Sequence, residues 1–343
     1  MVGQLRTLSS GICMIPFFEP VKFHIPVLDF EIHGFGIMVA LGLWLGTNMA
    51  MNKAQKDGLD PDIINRVLNW MIVGIFVGGH LGHALFYEPY KAFGGMDPSG
   101  KYIQGDILYL LKFWDGLSSF GGFIVTSFLC WVFFKKENRR IVQENKKRAK
   151  SNDKSEEELP LLFPIRALHY GDCVIYGFPM AFGLGRIGCF MAHDHPGLES
   201  DFVLATKGIC QSLKRHKSTF SGGTCGEGYH MDSYGWCWDM SVACHDLGLY
   251  EAIWACSLIP IVYFLNKAKP RFPGFFLAFI PMYYGPIRFS FDYLRTNDVR
   301  YFGLTPAQYG ALLLFSIGTA VLLINRKKTP VQVQTNKSDR IPY

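Results

Sequence analysis

Long apolar stretches, separated by polar segments, constrain this chain of 343 residues more than any other feature. A helix needs about 20 apolar residues to cross the hydrocarbon core of a bilayer, where only internally bonded backbone is tolerated. Seven stretches approach or exceed that length, at residues 33–51, 66–87, 120–134, 161–191, 247–265, 273–291 and 307–325. The hydrophobic content of 49%, gathered in these blocks, argues against two soluble domains. The sequence therefore predicts an all-α polytopic membrane protein with about seven transmembrane helices.

The distribution of basic residues predicts the orientation. Nine Lys or Arg residues fall in the 20 positions 135–154, and basic loops stay in the cytoplasm. We therefore expect residues 135–160 to form a cytoplasmic basic loop. Alternation across seven spans then places the N-terminus outside, the C-terminus in the cytoplasm and residues 192–246 in an extracytoplasmic loop region. A scheme with six spans does not fit this distribution of basic residues.

Three regions follow from this scheme. Residues 1–32 form a proline-punctuated N-terminal segment that we expect at the membrane interface. Residues 33–325 form the seven-span membrane domain, and residues 326–343 form a cytoplasmic tail that opens with three basic residues. Within the membrane domain, polar residues interrupt the stretch 161–191, which predicts a bent or broken helix.

Four of the nine cysteines lie in the predicted outer loop, at positions 210, 225, 237 and 244. An oxidising compartment would allow one or two disulfides there, with three possible pairings for two bridges. A zinc site is the less favoured alternative, because the spacings contain no Cys-x-x-Cys pair.

Two arginines in apolar stretches are candidate functional residues. Arg186 lies in the fourth stretch, among Gly183, Gly185 and Gly188, which would let neighbouring backbones approach. Arg288 lies late in the sixth. An arginine at bilayer depth is costly and usually faces an anion or a wet cavity. By topology both lie toward the outer leaflet, where a phospholipid phosphate suits a guanidinium pair.

Simpler structural roles compete with this interpretation. Arg186 could extend its charged group to the membrane boundary. Asp292 and Arg295 follow Arg288 at helical spacings of four and seven, so an Arg288–Asp292 pair could merely hold one helix.

Histidines supply candidate proton-transfer groups near the same membrane face. His193, Asp194 and His195 follow directly on the Arg186 segment, and His245 opens the fifth stretch. Neutral imidazole can accept a proton near neutral pH. A metal cluster of Cys189, His193 and His195 is a weaker alternative, because the sequence shows no open, supported coordination geometry.

Seven motifs in order carry a family resemblance over residues 24 to 325. They are His33-Gly-Phe-Gly-Ile-Met38, Gly79-His-Leu-Gly-His-Ala-Leu-Phe-Tyr87, Trp114-Asp-Gly-Leu-Ser-Ser-Phe-Gly-Gly122, Gly185-Arg-Ile-Gly188, His245-Asp-Leu-Gly-Leu-Tyr-Glu251, Tyr284-Gly-Pro-Ile-Arg288 and Gly303-Leu-Thr-Pro-Ala-Gln308. With these motifs the chain resembles the prolipoprotein diacylglyceryl transferase family, membrane enzymes with seven spans and an outside N-terminus.

The resemblance implies a reaction and its partners. The family transfers the diacylglyceryl group of phosphatidylglycerol to the lipobox cysteine of a prolipoprotein and releases glycerol phosphate. The implied partners are phosphatidylglycerol, the prolipoprotein signal peptide and the membrane. No metal and no cofactor are implied. The implied location is the bacterial cytoplasmic (inner) membrane, as a multi-pass protein.

The resemblance also implies roles for particular residues. Arg186 and Arg288 would stabilise the phosphate that leaves. The residues expected to contact substrate are His33, Gly185, Gly188, Asp194, Tyr250, Glu251, Tyr284, Asp292 and Arg295.

Two of the departures from the family pattern bear on the chemistry. Phe120 replaces a histidine that is often assigned as the base, and Cys189 replaces an asparagine. An active enzyme must then use another base, for which His195 is the first candidate and His193 the second. His245 keeps its family position and is expected to orient rather than to accept the proton.

Other function classes remain. The main alternative is a non-catalytic protein that binds or handles phospholipid on the same scaffold. An ion or proton pathway is weaker, because the membrane interior offers mainly Asp172 as an acidic group. Nucleic-acid binding is not expected, because acids interleave the basic run and aromatic residues are lacking there.

Overall fold

The computed structural model describes eleven stretches of the chain. They are residues 14–25, 30–97, 100–112, 116, 118–152, 162, 165–210, 214–216, 224–232, 236–296 and 300–328.

Eight α-helices form within these described residues. They are α1 Gly34–Lys56, α2 Pro61–Phe86, α3 Pro89–Phe93, α4 Ser119–Asn152, α5 Ala167–Ala192, α6 Leu247–Ala268, α7 Phe275–Phe291 and α8 Pro306–Asn325. A helix lies at each of the seven predicted positions, and α3 is an additional single turn. In the described part of the chain, α1, α2, α5, α6 and α8 are long and apolar enough to cross a membrane. A polytopic membrane protein is consistent with this content, whereas seven spans and their orientation stay predictions.

Two helices differ from the sequence expectation. The stretch expected to be bent or broken contains one continuous helix, α5, with Pro179 inside it. The third predicted stretch is the first part of α4, which continues for 34 residues to Asn152. Most of the basic run expected to be a loop is therefore helical, because its Lys, Arg, Glu and Gln residues favour a helix. Residues 153–161 lie outside the described part of the chain.

Short strands also form, so an all-α description was incomplete. The strands in the described residues are β1 Lys22–Ile25, β2 Phe30–His33, β3 Gly95–Met96, β4 Tyr102–Ile103, β5 Pro196–Glu199, β6 Thr206–Lys207, β7 Arg215–His216, β8 Tyr229–Met231, β9 Trp236–Asp239 and β10 Ala243–Asp246. They pair antiparallel as β1–β2, β3–β4, β5–β10–β6 and β7–β9–β8. Strands of two to four residues are too short to show a clear alternation in the sequence.

Two disulfides stabilise the region between α5 and α6. Cys210 bonds to Cys244, and Cys225 bonds to Cys237. The expectation of disulfides in this segment is confirmed. Cys244 lies on the central strand β10, directly before His245, so the first bridge fixes the strand that leads into α6.

The chain divides into two compact units. The first consists of residues 1–46, 178–268 and 284–312, and it contains α6, six of the strands after α5 and the C-terminal part of α5. The second consists of residues 47–177, 269–283 and 313–343, and it contains α2, α3 and α4.

In the second unit, α2 packs closely on α4 through glycines. A Cβ atom on Gly82 would lie 2.5 Å from the Cα atom of Gly121, so neither position accepts a side chain without a shift. Beside this contact His80 is fully buried, and its Nε2 atom lies 2.8 Å from the carbonyl oxygen of Tyr109. The two glycine-containing motifs near these residues therefore serve helix packing.

Cysteine labelling tests the predicted orientation. We expect the new thiol of the Lys150→Cys variant to resist labelling by a membrane-impermeant maleimide in intact cells. The new thiol of the Asp201→Cys variant should react. Both positions are exposed in the structure, so accessibility differs only by membrane side. The unmodified protein supplies the background from its native cysteines. Labelling of Lys150→Cys from outside would contradict the orientation.

Candidate functional site

Glycines fix the position of the part of α5 that carries Arg186. A Cβ on Gly188 would lie 3.1 Å from both the Cα and the carbonyl oxygen of Phe35 in α1. A Cβ on Gly183 would lie 3.2 Å from Cys256 Sγ in α6. Gly185 differs, because in the described part of the chain no atom beyond its own stretch of helix lies within 4 Å of its Cβ position. The expected close approach therefore holds at Gly183 and Gly188, whereas Gly185 faces open space.

The carboxylate of Glu251 lies between the two candidate arginines. Arg186 Nε is 2.7 Å from Oε2, and Arg288 Nη1 is 2.5 Å from Oε1. The Tyr284 hydroxyl donates to Oε2 at 3.3 Å. The side chain of Glu251 is 1% exposed, and those of Arg186 and Arg288 are 16% and 13% exposed. Three helices, α5, α6 and α7, thus contribute one charge each to a desolvated cluster.

A second carboxylate, Asp292, continues this cluster. Asp292 lies in the single 3₁₀ turn Asp292–Leu294 that follows α7, and it is fully buried. Arg288 Nη2 donates to its Oδ1 at 3.3 Å, Arg295 Nη1 lies 3.8 Å from the same atom, and Thr305 donates its hydroxyl hydrogen to Oδ2. Arg288, Asp292 and Arg295 therefore lie together, as their helical spacings of four and seven indicate.

A capping box at the start of α8 holds the partner of Asp292 in place. Gln308 N donates to Thr305 Oγ1 at 3.1 Å, and Thr305 N donates to Gln308 Oε1 at 3.0 Å. This reciprocal pattern is the S/T-x-x-E/Q capping box, with Pro306 as the first helical residue. Thr305 is therefore the N-cap of α8.

Replacing Thr305 tests this arrangement. Thr305→Ala removes the helix cap and the hydroxyl donor to a fully buried carboxylate. We expect the free energy of unfolding to fall by about 1–2 kcal/mol, as for other N-cap losses. Thr305→Ser keeps both bonds and should behave like the unmodified protein. Thermal unfolding in detergent measures both variants, and equal transition temperatures for alanine and serine would contradict the assignment.

The five ionic residues of the cluster leave an excess of positive charge. Three guanidinium groups face two carboxylates, which gives a formal balance of +1 for Arg186, Glu251, Arg288, Asp292 and Arg295. A guanidinium binds a phosphate through paired, charge-assisted hydrogen bonds. The cluster can therefore accept one singly charged anion without building up net charge.

The segment after α5 separates the two candidate histidines. His193 follows the last residue of α5. Its φ of 51° lies in the left-handed region, which residues other than glycine seldom adopt. Its side chain is buried, and Nε2 lies 2.9 Å from the carbonyl oxygen of Phe18. His195 instead is one quarter exposed. The two imidazoles therefore occupy different environments, although they are only two residues apart in the sequence.

His195 lies with two other reactive groups beside Arg186. Its Nδ1 atom contacts the carboxylate of Asp194. Ligand atoms of Cys189, Asp194 and His195 all lie within 4.8 Å of one another. The thiol of Cys189 accepts a hydrogen bond from Arg186 Nη1 at 3.7 Å. This group, which we name the Cys189–Asp194–His195 cluster, directly adjoins the arginine that contacts Glu251.

His245 lies on β10 and contacts the first turns of α6. Its Nδ1 atom is 2.8 Å from the hydroxyl oxygen of Tyr250. Burial lowers the pKa of the His245 imidazole, so the neutral form is favoured near neutral pH. A neutral Nδ1 then accepts a hydrogen bond from the tyrosine, which fixes the ring orientation.

Two further candidates lie apart from these contacts. His33 is the last residue of β2, pairs with Lys22 and is exposed. Phe120 is the second residue of α4, and its side chain lies outside the described part of the chain. Sequence reasoning did not place Thr305 or Gln308 in the site, although both belong to the last of the seven motifs.

These features together define a class of protein. The chain has long apolar helices and a buried cluster of arginines with a positive excess, so it is a multi-pass membrane protein with a candidate anion site. The chain belongs to the prolipoprotein diacylglyceryl transferase family, whose sequence model matches residues 20–144 and 161–324.

Curated relatives are similar over most of their lengths. Phosphatidylglycerol–prolipoprotein diacylglyceryl transferase of Chromohalobacter salexigens is 24% identical over 290 residues, covering 82% of this chain and 81% of the relative. The protein of the same name from Stenotrophomonas maltophilia is 24% identical over 320 residues, covering 89% and 91%. That from Escherichia coli O1:K1 is 22% identical over 349 residues, covering 95% and 99%.

Proposed function

We propose that this chain transfers the diacylglyceryl group of phosphatidylglycerol to the cysteine thiol of a prolipoprotein. The names of its relatives and its family support this reaction class. The observation in the structure that carries the proposal is the buried Arg186–Glu251–Arg288 arrangement, with its positive excess at one site. The proposed location is the bacterial cytoplasmic membrane, where the signal peptide of the acceptor would be presented.

The reaction is a displacement at carbon. The cysteine sulfur, as thiolate, attacks the glycerol carbon that bears the phosphate of phosphatidylglycerol. A carbon–sulfur bond forms, the carbon–oxygen bond breaks, and glycerol phosphate leaves with the electron pair. The thiol proton passes to a base. Catalysis must therefore stabilise negative charge on the departing phosphate and supply a thiolate.

Arg186 and Arg288 are proposed to stabilise the departing phosphate. Glu251 holds each guanidinium through one contact, at 2.7 Å and 2.5 Å, so both are oriented before substrate binds. Preorganised donors act most strongly where water is excluded. Asp292 and Arg295 extend this arrangement, since Asp292 contacts Arg288 as well as Arg295.

His195 is proposed as the base that accepts the thiol proton when no metal is bound. The Asp194 carboxylate accepts a hydrogen bond from Nδ1–H, which leaves the lone pair of Nε2 for the thiol proton. The buried contacts of His193 make it the second choice, and the bond between His245 and Tyr250 suits an orienting role.

The remaining proposed substrate contacts surround these groups. Open space beside Gly185 leaves room for a substrate chain next to Arg186. Tyr284 and Tyr250 carry hydroxyl groups that contact Glu251 and His245. The proposed substrate-contacting set is His33, Gly185, Gly188, Asp194, Tyr250, Glu251, Tyr284, Asp292 and Arg295.

Genetic rescue tests the proposed activity. We expect the gene to restore growth and lipoprotein modification in a bacterium depleted of its own diacylglyceryl transferase. The Arg288→Ala variant, expressed to the same level in the membrane, should fail to do so. Lipoprotein mass, measured by mass spectrometry, reports the transferred diacylglyceryl group directly.

A phospholipid-binding protein without catalysis is the second candidate. It is favoured by Phe120, which cannot take a proton at the position where the family carries a histidine. In that case the unmodified gene would not rescue, yet the purified protein would bind phosphatidylglycerol vesicles. That binding would depend on Arg186 and Arg288 and would not depend on His195.

A further inference from the structure

We propose that the Cys189–Asp194–His195 cluster binds one zinc ion and leaves a fourth coordination position open. The substrate thiol would occupy that position, a step that rests on the proposed transferase function. The three side chains offer sulfur, oxygen and nitrogen, which are the donor types that zinc takes in proteins.

The geometry of the cluster suits a zinc ion after a small adjustment. The three ligand atoms lie within 4.8 Å of one another. Zinc bonds of about 2.3 Å to sulfur and about 2.0–2.1 Å to nitrogen place tetrahedral ligands about 3.5 Å apart. The widest separation in the cluster therefore needs to close by about 1 Å, and the Asp194–His195 contact needs to open, which rotation of the exposed Asp194 side chain can supply.

The backbone around the cluster is held on both sides. Asp194 N donates to the carbonyl oxygen of Cys189 at 3.4 Å, so the chain folds back on the last turn of α5. The carbonyl oxygen of His195 accepts from Leu247 N at 3.1 Å. The left-handed conformation of buried His193 fixes the turn between these points. Adjacent ligands on a held turn lose little entropy when they bind a metal.

The charges also balance. A zinc ion with one thiolate, one carboxylate and one neutral imidazole carries no net charge. A neighbouring cation is Arg186, whose Nη1 lies 3.7 Å from Cys189 Sγ. That guanidinium is already paired with Glu251 at 2.7 Å, so its repulsion of a metal is reduced.

An open position gives this site a function in the proposed reaction. Three protein ligands with a vacant fourth position are typical of catalytic rather than structural zinc. A thiol that coordinates zinc loses its proton to solvent, so the lipobox sulfur becomes a thiolate without a separate base. His195 is then a ligand instead of the proton acceptor. The thiolate lies next to Arg186, where the phosphate is proposed to leave.

Metal analysis of the purified full-length protein tests the site independently of activity. We expect one zinc ion per chain, and we expect Co²⁺ substituted for it to show a sulfur-to-cobalt charge-transfer absorption. Cys189→Ser and His195→Ala should each lose the metal and the absorption. Cys130→Ser is the matched control, because it removes a half-buried free thiol in α4, and it should keep both.

The outcomes separate the zinc site from the transferase function. Loss of transfer by at least about tenfold after chelation, restored by zinc alone, would support the thiol-activating role. No bound metal, or equal cobalt spectra for Cys189→Ser and the unmodified protein, would overturn the site even if transfer continues. Bound zinc with transfer unaffected by chelation would overturn its role in the reaction. Bound zinc without any transfer from phosphatidylglycerol would overturn the proposed function, whereas the metal site would still stand.

Discussion

Replacing Arg288 with alanine is expected to lower the rate of diacylglyceryl transfer by about 100- to 1,000-fold, the usual effect of removing one preorganised charge-stabilising donor. In the structure, Arg288 contacts Glu251 through Nη1 at 2.5 Å and Asp292 through Nη2 at 3.3 Å. Its loss leaves two buried carboxylates with fewer cations and changes the formal charge of the cluster from +1 to zero. Both effects weaken stabilisation of the leaving phosphate.

A lysine at this position should restore only part of the rate. An ammonium group keeps the charge, but it lacks the planar fork that lets Arg288 contact two carboxylates at once. Arg300→Ala is the matched control, because Arg300 is exposed and stacks on Tyr293. Initial rates of thioether formation, followed by mass spectrometry, compare the variants. A folded Arg288→Ala variant that transfers within a few-fold of the unmodified protein would exclude the phosphate-stabilising role.

The helices could be placed from the sequence because the membrane requirement is a matter of length and composition. Each apolar stretch predicted one helix, and the structure has a helix at each position. Their ends were harder to predict, as α4 shows, since nothing in its basic C-terminal part breaks a helix before Asn152. The short strands around the two disulfides depend on cross-strand partners far apart in sequence, such as β5 and β10. Local patterns do not contain that information.

The candidate site was predictable in its parts and not in its connections. Arginines in apolar stretches marked Arg186 and Arg288, because burial of such charges requires a reason. Their shared contact with Glu251 depends on how α5, α6 and α7 pack, which no motif spacing gives. The same limit applies to the histidines. A single backbone angle at His193 separates its side chain from that of His195, two positions away.

Replacing His195 with alanine is expected to lower transfer by about two to four orders of magnitude, the usual contribution of a general base. The variant should still fold, insert and bind phosphatidylglycerol, because His195 is one quarter exposed and the arginines remain in place. The expectation also holds if His195 is a zinc ligand, since either role supplies the thiolate. Metal content, measured on the same preparations, separates the two roles.

The effect should be specific to His195 among the histidines of this region. His230→Ala is the matched control, because His230 is 42% exposed and pairs with Glu19. It should leave the rate within a few-fold.

His193→Ala should chiefly lower stability, because its buried ring lies against Phe17, Phe18 and Trp238. Lipid binding and initial rates are measured on each purified variant. Transfer that persists within a few-fold in the His193/His195 double variant would place thiol activation elsewhere. In that event His245 becomes the next residue to replace, because its lowered pKa already keeps an imidazole neutral beside α6.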